Sequence, residues 1–285
     1  MADAIKIGIW GGPGSGKTTF LAALRIAILK YARNTNTSWT INGIDEKHVG
    51  SALFLETNTR YLQSGEFPPA TTGKPTDATY TYEVNGTLFA SWPRRSKDVQ
   101  FTLNVFDYPG GDLLDKDAGD ELWEYLTDCQ GLIYLFDPNQ TEVGKGNFDY
   151  LQRALDMMRR VFVKKSLAIN RGRLPQHLAF CITKFDEPLI LERLLDRNLI
   201  AFDGSDPTYP PFVLKPFEAF ECLADDLTIQ VVRGYFHEDR LNYFGTSSIG
   251  FYADPSTGRV DITDCSNMQV EREEFVDGDG RRKER

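Results

Sequence analysis

Gly11-Gly12-Pro13-Gly14-Ser15-Gly16-Lys17-Thr18 is the stretch on which the fold turns. It satisfies G-x-x-x-x-G-K-[ST]. It stands between a short apolar run, residues 5–10, and a helical pattern over residues 18–33 that sets Phe20, Leu21, Leu24 and Ile28 on one face. Strand, glycine-rich loop and helix are the order the chemistry requires. Glycines let successive backbone N–H groups converge on phosphate oxygens where a Cβ would clash, and a helix N-terminus adds partial positive charge. Lys17 is then placed to reach the β- and γ-phosphates of a nucleotide, and Thr18 to ligate magnesium.

Outward from this loop the chain alternates. Residues 101–106, 131–136, 178–182 and 241–246 read as strands, the second a nearly continuous apolar run of the kind buried in a parallel sheet. Helical patterns lie at 117–126, 147–164 and 225–236, the middle one with Phe148, Leu151, Leu155, Met158 and Phe162 at helical spacing. The pattern predicts an α/β fold: a three-layer P-loop NTPase with a mostly parallel sheet and helices on both faces. Residues 45–62 read as a further helix and 64–75 as a Gly/Pro/Thr-rich loop. Residues 79–84 alternate like a strand, and Asn85-Gly86 signals a hairpin with a return over 87–92.

The chain has 285 residues, 41% hydrophobic and 26% charged, which is the composition of a folded protein with a sizeable core. The length suits two domains or one enlarged α/β domain, and no linker divides the chain before about Cys265. The expected organisation is one domain over residues 1–265 and a charged tail over 266–285. A formal charge of -9 opposes binding to nucleic acid or anionic lipid. The cysteines, Cys129, Cys181, Cys222 and Cys265, stand far apart and read as reduced thiols. The N-terminus lacks signal-peptide features, and no run reaches the ~18 apolar residues of a membrane span, so the default expectation is a cytoplasmic protein without an integral membrane segment.

Two more motifs narrow the ligand. Asp107-Tyr108-Pro109-Gly110 is D-x-x-G at a strand end; the same pattern recurs at Asp128 and Asp277, but only Asp107 ends an apolar strand after the glycine-rich loop. There a carboxylate can hold magnesium through a water, and the Gly110 N–H can meet the γ-phosphate. Thr183-Lys184-Phe185-Asp186 follows the buried run 178–182 and matches [NT]-K-x-D. The Asp186 carboxylate can accept both N–H groups of the guanine edge, which adenine cannot satisfy, while the Lys184 stem covers the base. Thr246-Ser247-Ser248 then ends the last strand, where a backbone N–H can bind the guanine oxygen.

The ordered set GGPGSGKT, DYPGG, TKFD and TSS resembles the TRAFAC class of GTPases with a Ras-like fold, over nearly the whole stretch from Gly11 to Ser248. The long segment before DYPGG and the stretch PPATTGKP look like larger bacterial members, the double-GTPase type, with a dynamin-like switch loop. The resemblance implies a switch threonine on magnesium and the γ-phosphate. Thr71, Thr72 and Thr76 are candidates; Thr72 is preferred because Thr72-Gly73-Lys74-Pro75 resembles the dynamin-like T-x-[RK]-P. The expected catalytic set is Lys17, Thr72 and Gly110, and the metal set is Thr18, Thr72 and Asp107. The nucleotide set is Gly12, Gly14, Ser15, Gly16, Lys17, Thr18, Thr19, Thr183, Lys184, Asp186, Ser247 and Ser248.

What the resemblance implies is a Mg2+-dependent GTP-to-GDP switch that engages an effector or an activating partner, a second copy of the chain included. The alternative is a nucleotide-gated scaffold with negligible hydrolysis. Gly111 stands where many Ras-like members carry a water-positioning glutamine, so slow intrinsic turnover is expected; Arg60, beside the switch loop, is the candidate arginine in cis. Gly14 replaces the asparagine of potassium-dependent relatives, so potassium activation is not expected. Ras-like domains close with a helix after the last motif, whereas residues 250–263 read as a hairpin and 271–285 carry no helical apolar spacing. The C-terminus is therefore expected to be atypical, the sheet face being covered by a partner or by chain not included in this sequence.

Overall fold

The computed structural model describes residues 5–12, 14–35, 39–44, 50–69, 79–90, 95–106, 120–139, 147–165, 167, 172–202, 211–251, 260, 275–276 and 282–283. Strand β1 (Ile5–Gly11) runs into helix α1 (Lys17–Thr35), followed by β2 (Thr40–Gly43), α2 (Ser51–Gln63), β3 (Thr79–Ala90) and β4 (Arg95–Phe106). Then come α3 (Asp120–Thr127), β5 (Gly131–Phe136), α4 (Asn147–Lys164), β6 (His177–Ile182) and α5 (Pro188–Asp196). A two-stranded pair, β7 (Ile200–Ala201) with β8 (Phe212–Val213), leads to α6 (Pro216–Leu223), α7 (Asp226–Tyr235) and β9 (Leu241–Gly245).

The main sheet has seven strands in the order β2-β3-β4-β1-β5-β6-β9. Strands β4, β1, β5, β6 and β9 are parallel, and β2 and β3 add an antiparallel edge. This is the three-layer α/β fold expected from the alternation. One face packs Ile9, Leu135 and Cys181 against Leu21 of α1 and Leu55 of α2. The other packs Tyr134, Phe136 and Phe180 against α3, α4, α5, α6 and α7. Alternate residues of β5 thus face opposite layers, and both layers are apolar, which is why its sequence reads as one continuous run.

The hairpin expected at Asn85-Gly86 is not formed. β3 runs unbroken from Thr79 to Ala90 and pairs along its whole length with β4, Gly86 lying opposite Val99. Gly86 has a packing role instead: a Cβ there would stand 2.2 Å from Trp39 Cδ2, so the indole lies directly on the strand backbone. Its Nε1 donates to Thr87 O at 3.2 Å. The strand expected over 87–92 is therefore the second half of β3, and β4 begins six residues earlier than the run 101–106 suggested.

Helices α5 and α6 are additional to the helices expected. Both start with proline at the first helical position, whose fixed φ suits a helix and whose missing N–H would have no partner there. Among the described residues no helix follows the 3-10 turn Glu238–Arg240; β10 (Phe275–Val276) and β11 (Arg282–Lys283) form a short antiparallel pair. Most of the hairpin expected over 250–263 lies outside the described residues. The described cysteines Cys129, Cys181 and Cys222 are free, and burial pushes the Cys129 and Cys181 thiols up to about 12. No described helix is long and apolar enough to cross a membrane.

Gly86→Val would force the indole off β3 and is expected to lower stability by about 1–3 kcal/mol, the usual cost of overfilling a packed contact. Urea unfolding followed by tryptophan fluorescence checks this; an unchanged midpoint would show that Trp39 is not held against the strand.

Candidate functional site

The loop after β1 is shaped by what its backbone excludes. A Cβ on Gly11 would lie 2.6 Å from Ser15 Oγ and 2.7 Å from Leu135 O, so only glycine lets the chain turn there. Gly14 and Gly16 take φ of 66° and 85°, the left-handed region that glycine enters without penalty. The turn closes through Ser15 N–H donating to Gly12 O at 3.2 Å, and α1 begins with Phe20 N–H on Gly16 O at 2.7 Å. Lys17 is buried, and its Nζ donates to Gly11 O and Gly12 O, each at 3.1 Å. The ammonium is thus folded into the mouth of the loop, held by carbonyls it can exchange for phosphate oxygens. Pro13 lies outside the described residues.

Thr183-Lys184-Phe185-Asp186 leaves the end of β6, and each residue is fixed differently. Thr183 donates twice to the carbonyl that ends β5: its N–H reaches Phe136 O at 2.8 Å and its Oγ1 at 3.0 Å. Lys184 adopts φ 54°, and its ammonium pairs with the buried Asp137 carboxylate at 2.8 Å. Phe185 is buried against Gly245, where a Cβ would stand 2.8 Å from its ring, and its N–H donates to Thr246 O. Asp186 is 6% exposed. Burial raises its carboxyl above the ordinary value, against the lowering effects of the Ser247 hydroxyl and the Lys184 ammonium. Glu187 is raised too, by burial and then by the Asp186 charge.

The last motif repeats the strand-end device. Thr246 donates through N–H at 2.8 Å and Oγ1 at 3.1 Å to Ile182 O, the carbonyl ending β6. Ser247 Oγ accepts from Gly250 N–H at 2.8 Å and closes the turn. These loops meet around a cavity of about 450 Å³. Gly14, Ser15, Gly16, Thr19, Thr183, Lys184, Asp186 and Ser248 of the expected nucleotide set line it, so both motifs and the last turn open on one space. Gly12 and Ser247 belong to the same loops, and Lys17 and Thr18 open α1.

Phe67, Glu187 and Ile249 also line the cavity and had no motif to mark them. Phe67, half exposed on the loop after α2, adds an aromatic ring to the lining, a surface suited to a planar base. Asp137, directly after β5, had no motif to mark it either. A larger groove, about 570 Å³ along β9, contains none of the expected residues.

Thr71, Thr72, Thr76, Asp107, Gly110 and Gly111 lie outside the described residues. β4 nonetheless brings its end beside the loop: it runs parallel to β1 with Val105 opposite Ile9 and stops at Phe106. Of the expected magnesium ligands only half-buried Thr18 is described, and among the described residues no three His, Cys, Asp or Glu side chains cluster to hold a metal. A threonine hydroxyl at a phosphate-binding loop is a hard oxygen donor that fits magnesium. Arg60 is exposed, pairs with Glu56 one turn back on α2, and does not line the cavity.

No protein-family model and no curated protein matches this chain. Solved structures with a related chain path include the signal recognition particle receptor SRb-GTP/SRX complex from Chaetomium thermophilum, at 12% identity and TM-score 0.39, covering 88% of this chain and 93% of that one. The S. cerevisiae Ski7 GTPase-like domain bound to GTP is 14% identical with TM-score 0.41, covering 86% of this chain and 43% of that one. Sup35 complexed with GDP is 13% identical with TM-score 0.35, covering 92% of this chain and 41% of that one. The chain thus spans about two fifths of the length of the last two. Likeness at this level adds nothing to what the sheet order and the loop already establish.

Asp186 is expected to link ligand binding and stability with opposite signs. Its folded pKa is raised, so its contribution to apo stability is present below the unfolded value and lost as pH rises through the folded one. Nucleobase binding needs the carboxylate and strengthens over the same window. Asp186→Asn is therefore expected to raise the apo melting temperature at neutral pH; a lower one would contradict this reading of the burial.

Proposed function

We propose that this chain is a GTP-binding protein of the TRAFAC class that hydrolyses GTP slowly with Mg2+ and acts as a switch. The domain extends over residues 1–265 and a charged tail over 266–285. The observation that carries the reading is convergence: the phosphate loop at Gly14–Gly16 and the Asp186 carboxylate line one cavity of about 450 Å³. A buried carboxylate that is costly to charge is sustained by a ligand with two adjacent N–H donors, and the guanine edge has that pattern whereas adenine does not.

In this account the loop N–H groups and the α1 N-terminus bind the phosphates, and Lys17 exchanges the Gly11 and Gly12 carbonyls for phosphate oxygens. Thr18, Thr72 and Asp107 would hold magnesium, which neutralises phosphate charge. Gly110 N–H would meet the γ-phosphate. The Lys184 stem and Phe67 cover the base, and Ser247 holds the loop whose N–H groups face the guanine oxygen. The relevant location is the cytoplasm. Gly111 favours the scaffold alternative, because no side chain there orients a water.

Asp186→Asn provides the test. The amide replaces an acceptor with a donor, so GTP affinity is expected to fall by on the order of 2 to 4 kcal/mol. Xanthosine triphosphate, which carries a carbonyl where guanine has its amino group, is expected to bind the variant better than GTP. A variant that keeps GTP preference would place the base elsewhere.

For the parent, the single-turnover rate is expected to be about 10⁻⁴ to 10⁻³ per second, that of an unassisted switch, rising ~10³ to 10⁵-fold when a partner or a second copy supplies an arginine. A rate above about 1 per second in dilute protein, unaffected by Arg60→Ala, would show that the nucleophile is positioned by other groups.

A further inference from the structure

The charge that fixes Lys184 comes from a residue outside all the expected motifs. Asp137 follows the last residue of β5 and is 1% exposed. One carboxylate oxygen accepts the Asn139 N–H at 3.0 Å, and the other meets Lys184 Nζ at 2.8 Å. A carboxylate at that depth is retained only when it is paired and hydrogen-bonded, which sets it apart from the exposed pairs elsewhere on the molecule. Lys184 itself is half exposed and lines the cavity, whereas Asp137, which holds its ammonium, is not among the lining residues.

The backbone of Lys184 needs such an anchor. Its φ of 54° is uncommon for a residue with a Cβ, and conformations of this kind persist where the surroundings over-determine them. Three restraints act on it: Thr183 is held to Phe136 O, Glu187 N–H donates to Lys184 O at 2.9 Å, and the ammonium is drawn to Asp137. The first and third come from consecutive residues at the end of β5. Asp186 and Glu187 follow on the same turn, and the Lys184 charge acts on both carboxyls.

We infer that Asp137 is a positioning residue for nucleobase recognition: by holding the Lys184 ammonium it lays the lysine stem along the face of the cavity where the base sits. The inference rests on the proposed guanine site and adds a determinant of its specificity. It acts on the base end of the ligand and not on the phosphate end.

The test is a double-mutant cycle read by GDP and GTP titration, with Asp137→Asn, Lys184→Met and the double variant. Methionine keeps an unbranched apolar stem and removes the head charge. Each single variant is expected to lose about 10- to 100-fold in affinity, with GDP and GTP weakened equally, and the double variant no more than either single one. Parent-like GDP binding by Asp137→Asn, fully additive losses, or a loss confined to GTP would overturn the assignment. Should Asp137→Asn not fold, Lys184→Met decides alone: binding equal to the parent shows that the head charge is irrelevant, and a loss equal for both nucleotides supports the anchor. A parent that binds no guanine nucleotide would instead refute the site itself. The pair is then still tested by the coupling of the same variants in urea unfolding, where additivity would exclude it.

Discussion

The glycine-rich loop after β1 has no room for side chains where it turns, and this constraint organises the molecule. Gly11 turns where a Cβ would meet both Ser15 Oγ and Leu135 O, and Gly14 and Gly16 occupy left-handed conformations. β1 lies in the middle of the sheet, with β4 and β5 parallel on either side. A central parallel strand has its carboxyl end at the same edge as its neighbours, so the loops that follow β6 and β9 gather where the glycine-rich loop opens. Position in the sheet, more than any single contact, brings distant motifs together.

The gathering is held by a repeated device. The threonine after β6 places its N–H and hydroxyl on the last carbonyl of β5, and the threonine after β9 does the same to the last carbonyl of β6. Each step fixes one loop relative to the one before it, and Phe185, packed against Gly245, fills the space between the two. The layer on this side of the sheet contains an aromatic cluster of Phe136, Phe180, Phe220 and Tyr243, with the Phe180 and Phe220 ring centroids 4.4 Å apart.

Much of this was legible in the residues. The apolar runs of β5 and β6, the amphipathic spacing of α4 and the glycine-rich loop are local patterns whose tertiary meaning is unambiguous, and the motifs they carry line one cavity. What escaped is what depends on distant residues. Asn85-Gly86 looks like a turn because nothing nearby shows that Trp39 covers the glycine. Phe67 sits in a loop with no periodicity to interpret. The proline starts of α5 and α6 were visible, with Ile190, Leu191 and Leu194 at helical spacing, but they lie in a stretch without motifs. Asp137 carries the same signal as Asp107, an acid directly after an apolar strand; its partner becomes evident only when β5 and β6 are seen side by side.

The central claim is that one cavity joins a phosphate grip to a guanine-selective carboxylate. Calorimetric titration of the unmodified protein with GDP and with ADP, both in excess Mg2+, tests it most directly. The account predicts a saturable GDP isotherm and ADP binding weaker by at least about 100-fold, since adenine leaves the buried acceptor unmatched. Equal binding of the two nucleotides would leave the phosphate loop standing and remove Asp186 from base recognition. Binding of neither would contradict the account.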